Sequence, residues 1–255
     1  MYTAHDALPN NPTARRLRRA ARNARSFARV IVHSQYGRAA LVEQLGVDPA
    51  AVYVVPHGAL IALRDVQPTA PALPDDVPVV AMLGLLRPYK GLDVLLNAWP
   101  LVRAALPNAV LLVAGRVLGD PSAERLIRDA KDPDAGIVAD LRFTSTEEFA
   151  GSLLRADVVV LPYRRIDQSG VLFAALALGR PIVASHVGGF AEVVEQYGAG
   201  VTVPPEDPGG LALALIELLR DPERRRVYGE AAQAAADGPF SWDAIAEATE
   251  RVYLG

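Results

Sequence analysis

Short runs of β-branched and aliphatic residues alternate along the chain with longer amphipathic stretches. That alternation predicts an α/β fold, a parallel sheet covered by helices. Before residue 59 it predicts a strand near Tyr2–His5, a helix near Thr13–Arg29, a strand over Val30–His33, a helix over Gly37–Leu45 and a strand over Val52–Val55. Residues 59–78 lack a clean period and carry Pro68, Pro71, Pro74 and Pro78, which predicts an extended interdomain linker. A fresh series follows. Residues 79–86 (VVAMLGLL) are continuously apolar, as in a strand buried on both faces. Further strands are predicted over Ala109–Ala114, Ile137–Phe143, Asp157–Tyr163, Pro181–Ser185 and Gly200–Val203. Helices are predicted over Leu92–Leu106, Ser122–Lys131, Thr146–Arg155, Gly170–Leu178 and Phe190–Gln196, then Pro208–Arg220, Pro222–Ala236 and Trp242–Tyr253. The division is therefore an incomplete unit in 1–58, a linker in 59–78, a Rossmann-type doubly wound domain in 79–240 and a terminal helix in 241–255.

Composition narrows the classes. With 51% hydrophobic and 22% charged residues, the 255-residue chain can build a core, so overall disorder is excluded. It has no cysteine, which excludes disulfides, cysteine-based zinc sites and a thiol nucleophile. No apolar run reaches the length of a membrane span, and MYTAHDALPNNP lacks a signal pattern. The net charge of −3 gives no general pull toward nucleic acid. That total hides an asymmetry: residues 15–29 hold seven arginines and no acid, a segment of +7 in a chain that is otherwise −10. On a helix, Arg15, Arg18, Arg19, Arg22, Arg25 and Arg29 share one arc, and Leu17, Ala20, Ala21, Ala24, Phe27 and Ala28 the opposite one. The basic arc reads as a solvated face or as a contact for anionic lipid or a phosphate-bearing acceptor. Lysine is scarce: of 26 basic residues only Lys90 and Lys131 are Lys.

Two loops carry candidate chemistry. Arg87, Lys90 and Gly91 lie between the strand at 79–86 and the helix after it. Ligands of a doubly wound sheet sit at the carboxyl ends of its strands, and two cations there suit a phosphate. After the strand at 157–163, Ser169-Gly170 opens an apolar helix whose first N–H groups form an anion site. Ordinary capping by Ser169 is compatible with that role. Both loops face one crevice if their strands are neighbours. His5 and His57 each follow a strand and read either as satisfied polar residues or as cleft wall, with Gly58 making a tight turn beside His57. Asp132-Pro133-Asp134 has metal-like spacing but no supporting strand, and reads as a turn.

The motifs LGLLRPYKGLDVLLNAW, LLVAGR, ADVVVLPY, ALALGRPIVAS and HVGGFAEVV occur in that order. Together they resemble the nucleotide-sugar-binding domain of retaining GT-B glycosyltransferases, family 4 (glycosyl transferases group 1), over about residues 79–255. YTAHDALPN, ARVIVHSQYGRAAL and VYVVPHG resemble the last elements of that family's acceptor-side domain. The resemblance implies transfer of a sugar from a nucleotide-diphosphate sugar to a hydroxyl of a sugar or lipid-linked acceptor, with retention. It implies that Arg87 and Lys90 grip the donor diphosphate together with the Ser169-Gly170-Val171 backbone, and that His5 lies near the donor sugar. Gly84, Gly188, Gly189 and Glu192 would line the cleft, with Gln168 beside them. No metal or other cofactor is implied, because the cations are side chains.

Two departures stand out. The family often carries two glutamates in the second loop and helix. Here their positions fall near Ile166 or Asp167 and on Ala174, which leaves Asp167 as a candidate substitute for the ribose contact. The chain before the linker is also shorter than a whole Rossmann-like domain, so its strands are expected to show an exposed edge and an uncovered face. The expectation is a truncated enzyme, or a donor-binding subunit or remnant completed by a second chain; a sugar-nucleotide epimerase of the same shape is a third reading. The expected setting is cytoplasmic, with peripheral contact at the inner membrane face through the Arg15–Arg29 helix.

Overall fold

The computed structural model describes residues 1–8 and 13–254. Pro9 and Asn10 of the YTAHDALPN motif and Gly255 of the terminal segment lie outside the described residues. Two parallel sheets are present. The smaller runs β1 (Tyr2–Thr3), β2 (Val30–Val32), β3 (Val52–Val54), in that spatial order. The larger comprises β4 (Val79–Leu83), β5 (Val110–Ala114), β6 (Ile137–Asp140), β7 (Val158–Leu161), β8 (Ile182–Ser185) and β9 (Gly200–Val203), ordered β6-β5-β4-β7-β8-β9. That is the doubly wound order, and its reversal falls between β4 and β7. These two strands pair directly, Val80 with Val158 and Ala81 with Val159.

The continuous apolar run in β4 has the expected cause. Val79, Ala81 and Leu83 enter the core on one face, and Val80 and Met82 the core on the other. Helices α3 (Leu92–Ala105) and α8 (Pro208–Arg220) cover the second face. Helices α5 (Thr146–Arg155), α6 (Gly170–Ala177) and α9 (Pro222–Asp237) cover the first. Two short helices, α4 (Ala123–Asp129) and α7 (Phe190–Val194), complete this part. Asp132 accepts a hydrogen bond from the Asp134 N–H at 3.0 Å, so the Asp-Pro-Asp segment is a turn.

The smaller sheet departs from expectation in three ways. Helix α1 (Ala14–Arg25) stops four residues short of the expected end. There the Ser26 hydroxyl donates to the Asn23 carbonyl at 2.7 Å, and Phe27 leaves the helix to stack on Tyr2. Helix α2 (Gln35–Ala39) widens into a π-helical turn over Ala40–Gln44. Third, the face expected to be bare is covered. The terminal helix α10 (Trp242–Leu254) crosses back and packs Ile245 and Val252 on Ile31 and Val55. Arg29, expected on the basic arc of a helix, instead donates to the Tyr253 carbonyl at 2.8 Å.

Residues 59–78 are not a free extended tether. Ile61–Asp65 forms a 3-10 turn, and Ala59 and Leu63 are buried in the larger core. The Thr69 N–H donates to the Glu147 carbonyl at 3.0 Å, and a Cβ at Gly151 would lie 2.0 Å from the Thr69 carbonyl oxygen. The prolines end local helix, but the apolar residues between them still find the sheet's helical layer.

Candidate functional site: a cationic crevice at the strand switch point

The β4 and β7 loops meet at the switch point. Gly91 makes this possible: it sits at φ +70°, and a Cβ there would lie 1.9 Å from the Pro162 carbonyl oxygen. Only glycine lets α3 start this close to the end of β7. The close approach buries Lys90 to 7% exposure. Its ammonium lies 5.1 Å from the centre of the Tyr163 ring. Among the described residues it has no hydrogen bond and no carboxylate partner. Gly84, at φ +90°, is the third member of the cluster: a Cβ there would meet Val171 at 3.3 Å and the Lys90 Nζ at 3.4 Å. Arg87 is exposed at the crevice mouth and is likewise unpaired among the described residues.

Helix α6 opens onto the same space. Ser169 is buried, yet no side chain caps the helix, so ordinary capping by its hydroxyl does not occur. A Cβ at Gly170 would meet nothing within 4 Å. The site therefore combines an unpaired buried cation, an exposed one and an uncapped helix start, which is the chemistry of a polyanion seat. Beside it lies a cavity of about 500 Å³, lined among others by Gly84, Leu85, Gly115, Arg116, Phe143 and Glu147, at the ends of β4, β5 and β6.

Arg164 holds the two loops together and was not singled out by sequence. Its guanidinium is bidentate to Asp93 at 2.8 and 2.6 Å, donates to Glu206 at 2.9 Å and to the Pro88 carbonyl at 2.9 Å. The Arg164 hydrogen bonds hold the Asp93 carboxyl below its ordinary range. The only sequence signal was an Arg-Arg pair in the polar loop.

The smaller sheet supplies the facing wall, and here several expectations are corrected. Glu192 does not stand free in the cleft: its carboxylate accepts from the Gln35 and Tyr36 N–H groups at 2.8 Å each, at the start of α2. Asp167, the candidate substitute for the ribose contact, is also engaged by the fold: its Oδ2 accepts from the Ala7 N–H. Burial, opposed by that bond, raises its pKa, and Asp6 adds to the rise. Gln168 donates from Nε2 to the His33 carbonyl at 3.1 Å. Gly188 and Gly189 brace the second loop: a Cβ at Gly188 would lie 1.6 Å from the Ile166 carbonyl oxygen, and one at Gly189 would meet the Ser34 Cβ at 2.9 Å. Gly58 is buried under the Trp242 indole rather than lining the cleft, with 2.7 Å left for a Cβ. Ala174 is wholly buried in the core.

His5 is exposed on this wall, and its Nδ1 lies 3.0 Å from Nε2 of His33. The half-buried His57 ring stacks on Phe173 at 4.7 Å and meets His33 edge-on at 5.8 Å. His33 was missed. The signal was present, since His5, His33, His57 and His186 each follow the carboxyl end of a parallel strand. Among the described residues, no group of three or more His, Asp or Glu side chains is arranged to hold a metal ion.

Residues 77–221 match the model of a family described as glycosyl transferases group 1. The chain belongs to that family. A curated relative, the D-inositol 3-phosphate glycosyltransferase of Kineococcus radiotolerans, is 32% identical over 248 residues, covering 88% of this chain and 56% of its own length. Sucrose-phosphate synthase from Thermosynechococcus elongatus superposes with a TM-score of 0.79 at 27% identity, over 96% of this chain and 62% of that one. The HepE protein of Anabaena, solved in complex with UDP, superposes with a TM-score of 0.81 at 22% identity, over 99% and 70% respectively, and so bears on the fold. The chain spans about half the length of the curated relatives it matches.

Proposed function

We propose that this chain binds a nucleotide-diphosphate sugar at the switch point and takes part in transferring its hexosyl group to a hydroxyl of a sugar or lipid-linked acceptor. The observation that carries the reading is Lys90, a buried ammonium with no counter-ion among the described residues. An unpaired buried charge is costly, and a diphosphate would relieve that cost. Lys90, Arg87 and the α6 N–H groups then stabilise the charge that develops on the departing nucleotide. Positive charge comes from side chains, so the scheme calls on no metal. The neighbouring 500 Å³ cavity, with the exposed Phe143 at its rim, suits the nucleobase. His5 faces the donor sugar from the opposite wall.

Retention of configuration is part of the proposal. The carboxylates of Asp167 and Glu192, on the second loop and the turn that braces it, already accept backbone N–H groups. The departing phosphate is then the base that takes the acceptor proton, on the face from which the hydroxyl arrives. The exposed Arg15, Arg18, Arg19 and Arg22 of α1, beside a groove of about 670 Å³, support peripheral contact with an anionic membrane on the cytoplasmic side. Among the described residues no helix is long and apolar enough to cross a membrane.

Calorimetry of the chain with UDP, GDP and ADP tests the donor seat. One diphosphate is expected to bind at least about tenfold more tightly than its nucleoside, a gain of about 1.4 kcal/mol. Equal affinity for diphosphate and nucleoside would remove the seat. A transfer assay with the matching sugar nucleotide then tests turnover. Binding without turnover would favour a donor-binding subunit completed by a second polypeptide.

A further inference from the structure

The contact between His5 and His33 has a defined polarity. The Nδ1 of His33 lies 2.8 Å from the Val55 carbonyl oxygen, which can only accept. Nδ1 of His33 therefore carries the proton. In the neutral ring Nε2 is then the acceptor, and its partner at 3.0 Å is His5 Nδ1. His5 must donate from Nδ1, which leaves the lone pair on Nε2. No protein group bonds to His5 Nε2 among the described residues. His33 is neutral near pH 7, because burial lowers its pKa and the neighbouring His5 and His57 lower it further, against the opposing Val55 bond. The same two rings are the titratable groups that face it, from the loops after β1 and β3. The uncharged Gln168 approaches its carbonyl from the second domain. The flanking segments also carry Asp6, Tyr36 and Asp167, and the Glu192 carboxylate accepts from the Gln35 and Tyr36 N–H groups just beyond His33.

We propose that His33 is a positioning residue: it fixes the tautomer of His5, so that His5 presents an acceptor nitrogen to a hydroxyl of the donor sugar. A second histidine suits this task better than an amide would. One ring spans from the Val55 carbonyl just beyond β3 to His5 beyond β1, and its two nitrogens couple the ends. The identity of the sugar as the hydroxyl's owner rests on the donor-binding reading; the tautomer does not. Protonating His33 would reverse the array. Its Nε2 would then donate to His5 Nδ1, and His5 Nε2 would carry a proton and become a donor. The acceptor state is thus the neutral-pH state, lost below the ordinary histidine range near 6.5.

Long-range ¹⁵N–¹H correlation on the histidine-labelled chain at pH 8 reads the tautomer of each ring directly. His5 is expected with the proton on Nδ1 in the native chain. In His33→Phe the lock is gone and the proton is expected mostly on Nε2. In His33→Gln an amide oxygen replaces the acceptor, and Nδ1–H is expected to persist. Transfer by His33→Phe is expected to fall about tenfold in kcat with donor KM within about twofold, as for a group acting mainly in the transition state. His33→Gln should recover most of that loss. A native His5 protonated on Nε2, or a His5 tautomer identical in the native and Phe chains, overturns the proposal. If the native tautomer is locked as stated but the chain neither binds nucleotide nor transfers sugar, the positioning stands and the donor reading falls. Should His33→Phe fail to fold, the native spectrum and the His33→Gln spectrum still decide the point.

Discussion

Lys90 and Arg164 stand on loops that leave neighbouring strands, yet their situations are opposite. Arg164 gives its donors to Asp93, Glu206 and the Pro88 carbonyl. Lys90 gives none to a protein group among the described residues, although it is the more buried of the two. A cation whose donors are satisfied within the fold is part of the scaffold. One that is buried and unsatisfied has been placed for something the fold does not contain. The scaffold cation matters for where the loops are, and the unsatisfied one for what binds between them.

The largest effect is expected where the two loops touch. Gly91→Ala puts a Cβ on the Pro162 carbonyl at a left-handed φ, and both faults must be relieved by moving α3 away from β7. A loss of at least about 3 kcal/mol is expected from strain and overpacking together. Urea unfolding monitored by tryptophan fluorescence measures it. A loss under about 1 kcal/mol would mean that the contact is not as tight as described.

Arg164→Met comes next, with a loss of about 1–2 kcal/mol, because Asp93 keeps its charge and loses its partner while remaining partly solvated. Here pH discriminates. Arg164 depresses the Asp93 pKa, so the pair stabilises the fold above the unfolded carboxyl pKa of 3.8 and stops doing so as pH falls through the lower folded value. Native and variant stability curves should therefore converge in acid and separate toward neutrality. Parallel curves would show that Asp93 does not depend on Arg164.

Lys90→Met sharpens the contrast by reversing the sign. Replacing an unpaired buried ammonium with an apolar side chain of similar length is expected to raise ligand-free stability by up to about 1 kcal/mol. The same variant should lose diphosphate binding about 100-fold or more. Arg164→Met, by comparison, should lose stability first and affinity only as the loop loosens. A Lys90→Met chain that binds nucleotide as the native chain does would remove Lys90 from the site.

Much of this arrangement was legible in the sequence, and the limits have physical causes. The runs at 79–86 and 157–163 predict buried strands, and rarity alone marks Lys90 among 26 basic residues. The neighbouring of β4 and β7 follows once the sheet is read as doubly wound. What escaped depends on partners distant in sequence. Glu192 reads as cleft lining until the start of α2 arrives at its carboxylate, 156 residues away along the chain. Gly58 reads as a turn glycine until Trp242 lies across it. The period of α10 shows an apolar face but not that the face belongs to the smaller sheet. His33 becomes informative only when Val55 and His5 fix its two nitrogens.

Glu192→Gln is the smallest perturbation and tests whether satisfaction inside the fold is the right criterion. The carboxylate takes two N–H groups of α2, favoured there by the charge at a helix start. An amide keeps one acceptor oxygen and turns an NH₂ toward the other N–H, so about 1 kcal/mol should be lost. Amide exchange at Gln35 and Tyr36 should accelerate about tenfold, while diphosphate affinity stays within about twofold because Lys90 and α6 are untouched. Glu192 then groups with Arg164, as a charge already answered by the protein. If affinity instead collapsed while those two amides stayed protected, Glu192 would belong with Lys90, and hydrogen-bond satisfaction in the ligand-free chain would not separate scaffold from site.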